Sequence, residues 1–343
     1  MHVLVVGAGA VGSFLGWAVA AGGGRTTLVR RGSAETPGTT VSLRLTRPDG
    51  TDSAVDVGVV PSVEAAAGEP FDLVIVAVRQ YDLADALSAL AALPDVPVLT
   101  AQNGVGAEEA ATEARPGAPL LAASVTASVE RDRGGNVRVL RQGGVGLAAV
   151  RGEGAAELVE RLATTLSDAG VDVVVQDNAA AMKWSKLVAN LVANATSGIL
   201  DMDPPSIYAD PSLFEIERDQ LRETLAVMRA RHLRPVTLPG APVPLLAIAT
   251  SLPAPLARAA LRRVVGSARG GKDPSLRGAV QAGPPTEAGW LNGSVARAGA
   301  SLGVPTPVND ALARLADEAA ADPERRAWFR QRPDRLLEAL GRA

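Results

Sequence analysis

Residues 2–23, HVLVVGAGAVGSFLGWAVAAGG, join a short apolar run, a glycine-spaced turn and an apolar helical segment without interruption. The run HVLVV is rich in β-branched residues and lacks polar alternation, which predicts a strand buried on both faces of a parallel sheet. In the turn, Gly7, Gly9 and Gly12 fit the G-x-G-x-x-G spacing. Gly7 permits a tight turn, Gly9 lets the main chain approach a pyrophosphate, and Gly12 lets the helix pack closely on the strand. The pyrophosphate then rests on the amide-rich helix N-terminus, against Gly7, Gly9, Ala10, Val11 and Gly12. In an alanine- and glycine-rich chain the spacing alone also fits an ordinary turn; its place between a strand and a helix favours a dinucleotide.

The pattern continues outward from this unit. The next apolar strand, TTLVRR, ends about twenty residues after the glycines, where an NAD-binding domain sets an acid on the ribose 2′-hydroxyl. Here it ends in Arg30 and Arg31. A guanidinium donates to a 2′-phosphate and neutralises it, so NADPH/NADP is the expected cofactor; two solvated loop arginines are the plainer alternative. DVGVV (56–60), FDLVIVAV (71–78) and VPVLT (96–100) read as strands, separated by the helical segments SVEAAAG and DLADALSALAAL. That alternation predicts a doubly wound sheet. Arg79, in AVRQYD, and Asn103, in TAQNGVG, follow strand ends where such sheets bind ligands. For Asn103 the ordinary Asn-Gly turn explains the sequence equally well. ASVTASVE and NVRVLRQGGVGLAAV then read as antiparallel strands joined by the turn RDRGGN, and VDVVVQD (171–177) leads into a second half with helical periodicity. The expected architecture is therefore α/β plus all-α: a Rossmann-like domain over residues 1–177 and a helical domain over 178–343.

The 343 residues, 47% of them hydrophobic, suffice for two cores. A net charge of −3, from 34 basic and 37 acidic side chains, offers no extended positive field for nucleic acid. With no cysteine and only His2 and His232, disulfides, thiolate zinc sites and cysteine nucleophiles are excluded, no metal centre is expected, and a reduced cytoplasm suits the chain. Two uncharged runs imitate membrane signals. The first, at the N-terminus, lacks a basic leader and is broken by glycines. The second, VTLPGAPVPLLAIATSLPAPLA, holds Pro239, Pro242, Pro244, Pro253 and Pro255, so it reads as a broken-helix excursion rather than a span. Neither export nor a membrane is expected.

In the second half, KLVANLVANATSG (186–198) is the most informative stretch. At about 100° per residue, Lys186, Asn190 and Asn194 fall at about 0°, 40° and 80°, with Lys183 at about 60°. The rest of the circumference is apolar, so most of this helix should be buried. The polar stripe reads either as the solvated edge of a buried helix or as a lining for an anionic, oxygen-rich ligand. Asparagine is a poor choice for a solvent face, because its side chain competes with the helix backbone. A second segment, SLRGAVQAGPPTEAGWLNG (275–293), sets Glu287 after Thr286, which fits a helix N-cap with an acid in the first turn. Ser275 fits a cap as well.

Taken in order, GAGAVG, LVRRG, AVRQYD, QNGVG, WSKLVANLVANATSGI and SLRGAVQAGPPTEAGWLNG resemble the ketopantoate reductase family, the NADPH-dependent 2-dehydropantoate 2-reductases. The KLxxNxxxN core and the serine twelve residues before Thr-Glu are its most specific parts. The resemblance implies that Lys186 is the catalytic lysine and Lys183 a bystander. It implies that Asn190, Asn194 and Ser275 hold the carboxylate and hydroxyl oxygens of the substrate, and that Glu287 bonds near the reacting centre and orients the lysine. Asn103 would lie by the nicotinamide ribose and position Lys186, while Arg31, with Arg30, takes the 2′-phosphate. The sequence also departs from the family. Arg79 replaces its usual lysine, Gly278, Ala279 and Val280 occupy the stretch where an acid is common, and Pro284 replaces a basic residue. The implied reaction is reduction of ketopantoate for pantothenate and coenzyme A synthesis. Two alternatives stand beside it: a paralogue reducing another branched 2-oxo acid, and a non-catalytic NADP(H)-binding regulator. A homodimer is compatible with the sequence.

Overall fold

The computed structural model describes residues 1–30, 38–268 and 273–342, with residues 263–268 given by their backbone alone. The chain divides into one unit of residues 1–102, 106–183 and 238–240, and a second of residues 103–105, 184–237 and 241–343. Arg31 lies outside the described residues.

The first unit is built on β1 (His2–Val6), α1 (Ala10–Ala21), β2 (Arg25–Val29), β3 (Thr39–Thr46), β4 (Asp52–Val60) and β5 (Leu73–Val76). It continues with α2 (Leu83–Ala89), β6 (Val98–Thr100), α3 (Ala107–Ala114), β7 (Leu120–Val125), β8 (Ser128–Arg131), β9 (Val137–Arg141), β10 (Gly144–Arg151), α4 (Ala155–Asp168) and β11 (Asp172–Val175). The strands form one sheet in the order β11-β10-β7-β6-β5-β1-β2-β4-β3-β9-β8. From β7 to β4 every pairing is parallel. The chain runs outward from β1 through β2 to β4, then returns to β5 on the other side of β1. This reversal beside β1 is the place where open α/β sheets bind ligands, at the carboxyl ends of the strands.

The opening run is apolar throughout because both faces are covered. Val3 and Val5 enter a core with Phe14 and Leu15 of α1 and Leu158 and Leu162 of α4. Leu4 and Val6 enter another with Leu83 and Leu87 of α2 and Ala107 and Ala111 of α3.

Two elements differ from expectation. SVEAAAG yields only a 3₁₀ turn at Glu64–Ala66, its alanines packing as a short connection. The unanticipated β3 pairs antiparallel with β4 around a turn at residues 47–51, where Arg47 N–H reaches the Thr51 carbonyl at 2.8 Å and the Asp49 carboxylate accepts from Thr51 N–H at 2.9 Å. The expected β8–β9 hairpin forms, and β9 joins the sheet edge by pairing parallel with β3. The sheet thereby curls about α1, which packs on β2, β3, β4, β8 and β9.

The second unit contains α5 (Ala179–Leu191) from Trp184 onward, α6 (Ala195–Leu200), α7 (Pro204–Ala209), α8 (Pro211–Ala230), α9 (Val243–Ser251), α10 (Ala254–Ala268) and α11 (Ser275–Ala282). It ends in α12 (Asn292–Leu302), α13 (Pro307–Ala321), α14 (Pro323–Phe329) and α15 (Pro333–Ala339). One core holds Leu187, Val188 and Leu191 of α5 with Phe214 and Leu221 of α8 and Leu312 and Leu315 of α13. The proline-rich stretch supplies α9 and α10, separated at Leu252 and Pro253 because proline cannot continue the hydrogen-bond ladder. No helix among the described residues is long and apolar enough to cross a membrane.

Two of the spaced glycines have opposite surroundings. A Cβ on Gly12 would stand 2.0 Å from the Gly7 carbonyl oxygen, whereas one on Gly9 would meet nothing within 4 Å. Gly12→Ala should therefore cost about 1–3 kcal/mol of stability through overpacking. Gly9→Ala should leave the urea unfolding midpoint nearly unchanged. Equal midpoints for the two variants would contradict this account of the turn.

Candidate functional site

In the first unit, Gly7 ends β1 with φ +104° and is packed so tightly against the backbone of Ala77 and Val78 that a Cβ would lie 2.8 Å away. The main chain thus turns at the sheet's point of reversal. Gly9 is the N-cap residue of α1 and no side chain caps the helix. The amides of the first turn are left for an anion, and the open space at Gly9 lets one approach. Arg30 follows β2, fixed by its N–H to the Val60 carbonyl at 2.9 Å. Arg79 follows β5 in extended conformation and precedes the 3₁₀ turn Gln80–Asp82. These residues can hold a dinucleotide: a glycine turn without side chains, an uncapped helix, and guanidiniums at two strand ends.

Beneath this surface lies a charged network. Lys183 on α5 is 2% exposed. Its ammonium meets Glu108 Oε1 at 3.2 Å, and donates to the Gln102 carbonyl at 2.6 Å and the Ala123 carbonyl at 3.4 Å. The Glu108 carboxylate also accepts from the Thr100 hydroxyl at 2.7 Å. The Gln102 side chain donates to the Val76 and Val78 carbonyls. The ends of β5, β6 and β7 are thus tied to the loop that carries Asn103. Lys183 does not share the half-exposed edge on which helical angles put it; it is spent on this ion pair.

In the second unit, the half-buried edge of α5 carries Lys186, Ala189 and Asn190. Asn190 Nδ2 donates to Asn103 Oδ1 at 3.2 Å. The continuous stripe predicted through Asn194 is broken, because α5 ends at Leu191 and Ala193 takes φ +47°. A left-handed alanine is strained, and the buried carboxylate of Glu217 stabilises it. Glu217 accepts from Ala193 N–H at 2.6 Å, Thr196 Oγ1 at 2.7 Å and Tyr208 Oη at 3.2 Å. Asn194 consequently stands at the N-cap of α6. Its Oδ1 accepts from Leu276 N–H at 3.0 Å and its Nδ2 donates to Ser275 Oγ at 3.3 Å. Ser275 is the first residue of α11 and does not cap it. With this bonding the Ser275 hydroxyl hydrogen and a second Asn194 N–H remain for an oxygen-rich ligand. Glu287, 8% exposed, precedes a 3₁₀ turn at Ala288–Trp290, and Thr286 Oγ1 accepts from Ala288 N–H at 3.1 Å. The cap read from the sequence therefore serves a single 3₁₀ turn.

Asn103 with Asn190 and Asn194 with Ser275 are thus paired within the second unit, while Gly7, Gly9, Ala10, Val11, Gly12, Arg30 and Arg79 belong to the first. Sequence reasoning missed Glu108, Gln102 and Glu217. Glu108 opens a helix, where an acid is unremarkable, and Glu217 lies in the charged run FEIERD, which reads as a solvated helix face.

The sequence model described as "Ketopantoate reductase PanE/ApbA" matches residues 3–152, and that described as "Ketopantoate reductase PanE/ApbA C terminal" matches residues 178–320. The 2-dehydropantoate 2-reductase of Halobacterium salinarum is 33% identical over 217 residues, 62% of this chain and 69% of the relative. That of Pyrococcus horikoshii is 30% identical over 225 residues, 65% and 72% of the two chains. Among solved structures, a PanE/ApbA family ketopantoate reductase from Ralstonia eutropha superposes with TM-score 0.75 at 26% identity, covering 95% of this chain and 99% of the other. A D-mandelate dehydrogenase with NADH and anilino(oxo)acetate shares the fold at TM-score 0.76 and 21% identity, covering 93% and 98%.

The buried pair makes a measurable claim. Lys183→Met should destabilise the protein by about 3–5 kcal/mol, because Glu108 is left buried without its counter-charge. Adding Glu108→Leu should recover most of that loss in denaturant unfolding. A double variant no more stable than the single one would show that charge compensation is not what the pair provides.

Proposed function

The chain belongs to the ketopantoate reductase family, and on that premise we propose that it reduces the 2-oxo group of 2-dehydropantoate to the hydroxyl of pantoate, a step in pantothenate and coenzyme A synthesis. The cofactor is NADPH, which when bound supplies the hydride. The residues of the first unit fit it: the uncapped α1 suits a pyrophosphate, the open Cβ position of Gly9 admits one, and Arg30 suits a 2′-phosphate.

The observations that carry the reading are the two side-chain pairs in the unit that also holds Lys186. Asn190 stands one turn beyond the lysine and is paired with Asn103, while Asn194 and Ser275 hold each other and keep donors to spare. Asn190, Asn194 and Ser275 bind the carboxylate and hydroxyl oxygens of the substrate, while Asn103 lies by the nicotinamide ribose and positions Lys186. As the carbonyl carbon gains the hydride, negative charge grows on its oxygen; the Lys186 ammonium stabilises that charge and gives up one proton to form the hydroxyl. Solvent then returns a proton to the amine. Glu287, largely buried, orients the ammonium. A lysine cation suits this role because its donors rotate freely to follow the oxygen as it changes geometry.

A second reading, reduction of another branched 2-oxo acid, is favoured by α11. Gly278 and Ala279 follow Ser275 where the family commonly carries an acid, and a Cβ on Gly278 would meet nothing within 4 Å. A panel of branched keto acids assayed by loss of NADPH absorbance separates the readings by the highest kcat/KM.

Lys186→Ala should lower turnover by at least about a hundredfold, the contribution expected of a general acid, with NADPH dissociation changed little. Near-normal turnover in that variant would sink the assignment. Absence of turnover with every keto acid in the unmodified protein would instead point to a non-catalytic NADP(H)-binding regulator.

A further inference from the structure

We propose that Arg131, on the hairpin at the sheet's edge, is a further arginine of the 2′-phosphate subsite, acting beside Arg30 to select NADPH over NADH. The inference rests on the cofactor reading above and deepens it. Arg30 leaves the carboxyl end of β2, where the 2′ position of a dinucleotide on the glycine turn comes to rest. Arg131 is the last residue of β8, a strand brought alongside because β9 pairs with β3 and β3 with β4. The two guanidiniums converge on one point: a methyl group on Gly135 would stand 2.8 Å from Arg131 Nη2 and 3.5 Å from Arg30 Nη2.

Like charges are seldom brought together without cause, and here the nearby acids among the described residues are directed elsewhere. Asp132 turns into its own turn, accepting from Asn136 N–H at 2.9 Å and Asn136 Nδ2 at 3.3 Å. Glu130 is in register with Arg138. Among the described residues no carboxylate forms an ion pair with Arg131, whose Nε donates to the Gly135 carbonyl at 3.2 Å and so fixes the plane of the fork. Partial burial and the Arg30 charge pull the Arg131 guanidinium below the usual arginine range, opposed by Asp132. It remains a cation, held where a second positive charge is unfavourable. A dianion between the two forks relieves that repulsion and accepts from both; a ribose hydroxyl does neither.

The test is equilibrium binding, read by intrinsic fluorescence or calorimetry, of NADPH, NADH, 2′-AMP and 5′-AMP to the unmodified protein and to Arg131→Ala and Arg131→Lys. Arg131→Ala should weaken NADPH and 2′-AMP by about tenfold or more, while NADH and 5′-AMP change by less than about twofold. Arg131→Lys, which keeps charge without the fork, should fall between. Should the unmodified protein prefer NADPH and Arg131→Ala keep the same NADPH-to-NADH ratio, the inference fails and the cofactor reading survives. Should the unmodified protein bind NADH as tightly as NADPH, the cofactor reading itself fails and takes this one with it.

Discussion

One buried carboxylate decides the course of the chain through the second unit. Glu217 has no exposed surface, and its bonds from Ala193 N–H, Thr196 Oγ1 and Tyr208 Oη come from three places in the sequence. A carboxyl group so placed is tolerated only when its polar sites are filled. Those bonds hold Ala193 left-handed, end α5 and turn Asn194 toward α11. Had the helix run on, Asn194 would have stayed in line with Asn190, and the backbone N–H of Leu276 and the hydroxyl of Ser275 would have lost their amide partner.

The first unit relies on a comparable device. Lys183 and Glu108 are hidden under the strand ends, and a pair of apolar residues of similar volume would be no less stable there. What the ions contribute is direction. An ammonium donates along several lines at once, and here it fixes the Gln102 and Ala123 carbonyls while compensating an acid from α3. The peptide after Gln102 begins with Asn103, whose side chain meets Asn190. Helix α5 therefore grips the same loop twice, once with a charge and once with an amide.

Much of the fold was legible because local and global preferences agree. The run at residues 2–6 is apolar on both sides since two cores flank it, and Gly7 and Gly12 are forced by backbone contacts no side chain could survive, while Gly9 leaves open space. The alternation of the following strands and helices gave the doubly wound core in the same way. Legibility failed where a distant partner supplies the reason for a conformation. Nothing in the residues around Ala193 signals a left-handed bend, because its cause lies in Glu217. Angles along an ideal helix grouped Lys183 with Lys186, yet the partner that buries Lys183 comes from α3. β3 mixes threonine, serine and arginine with its apolar residues and became a strand through its pairing with β4. The glycines of the turn after β1 were readable because their conformation depends on neighbours in sequence; Asn190, Asn194 and Ser275 were readable as residue types but not as geometry.

The sheet's two borders carry a further consequence. Among the described residues the sheet has eleven strands, and the border strands of an open sheet are where another copy could add on. Here the outermost strands, β11 and β8, are only four residues each, DVVV and SVER. Each brings at least one charged side chain to the rim, and the curl about α1 twists the β8 side away from a flat template. Fibril-like stacking through backbone bonds is thereby opposed by brevity, charge and twist, without a barrel having to close.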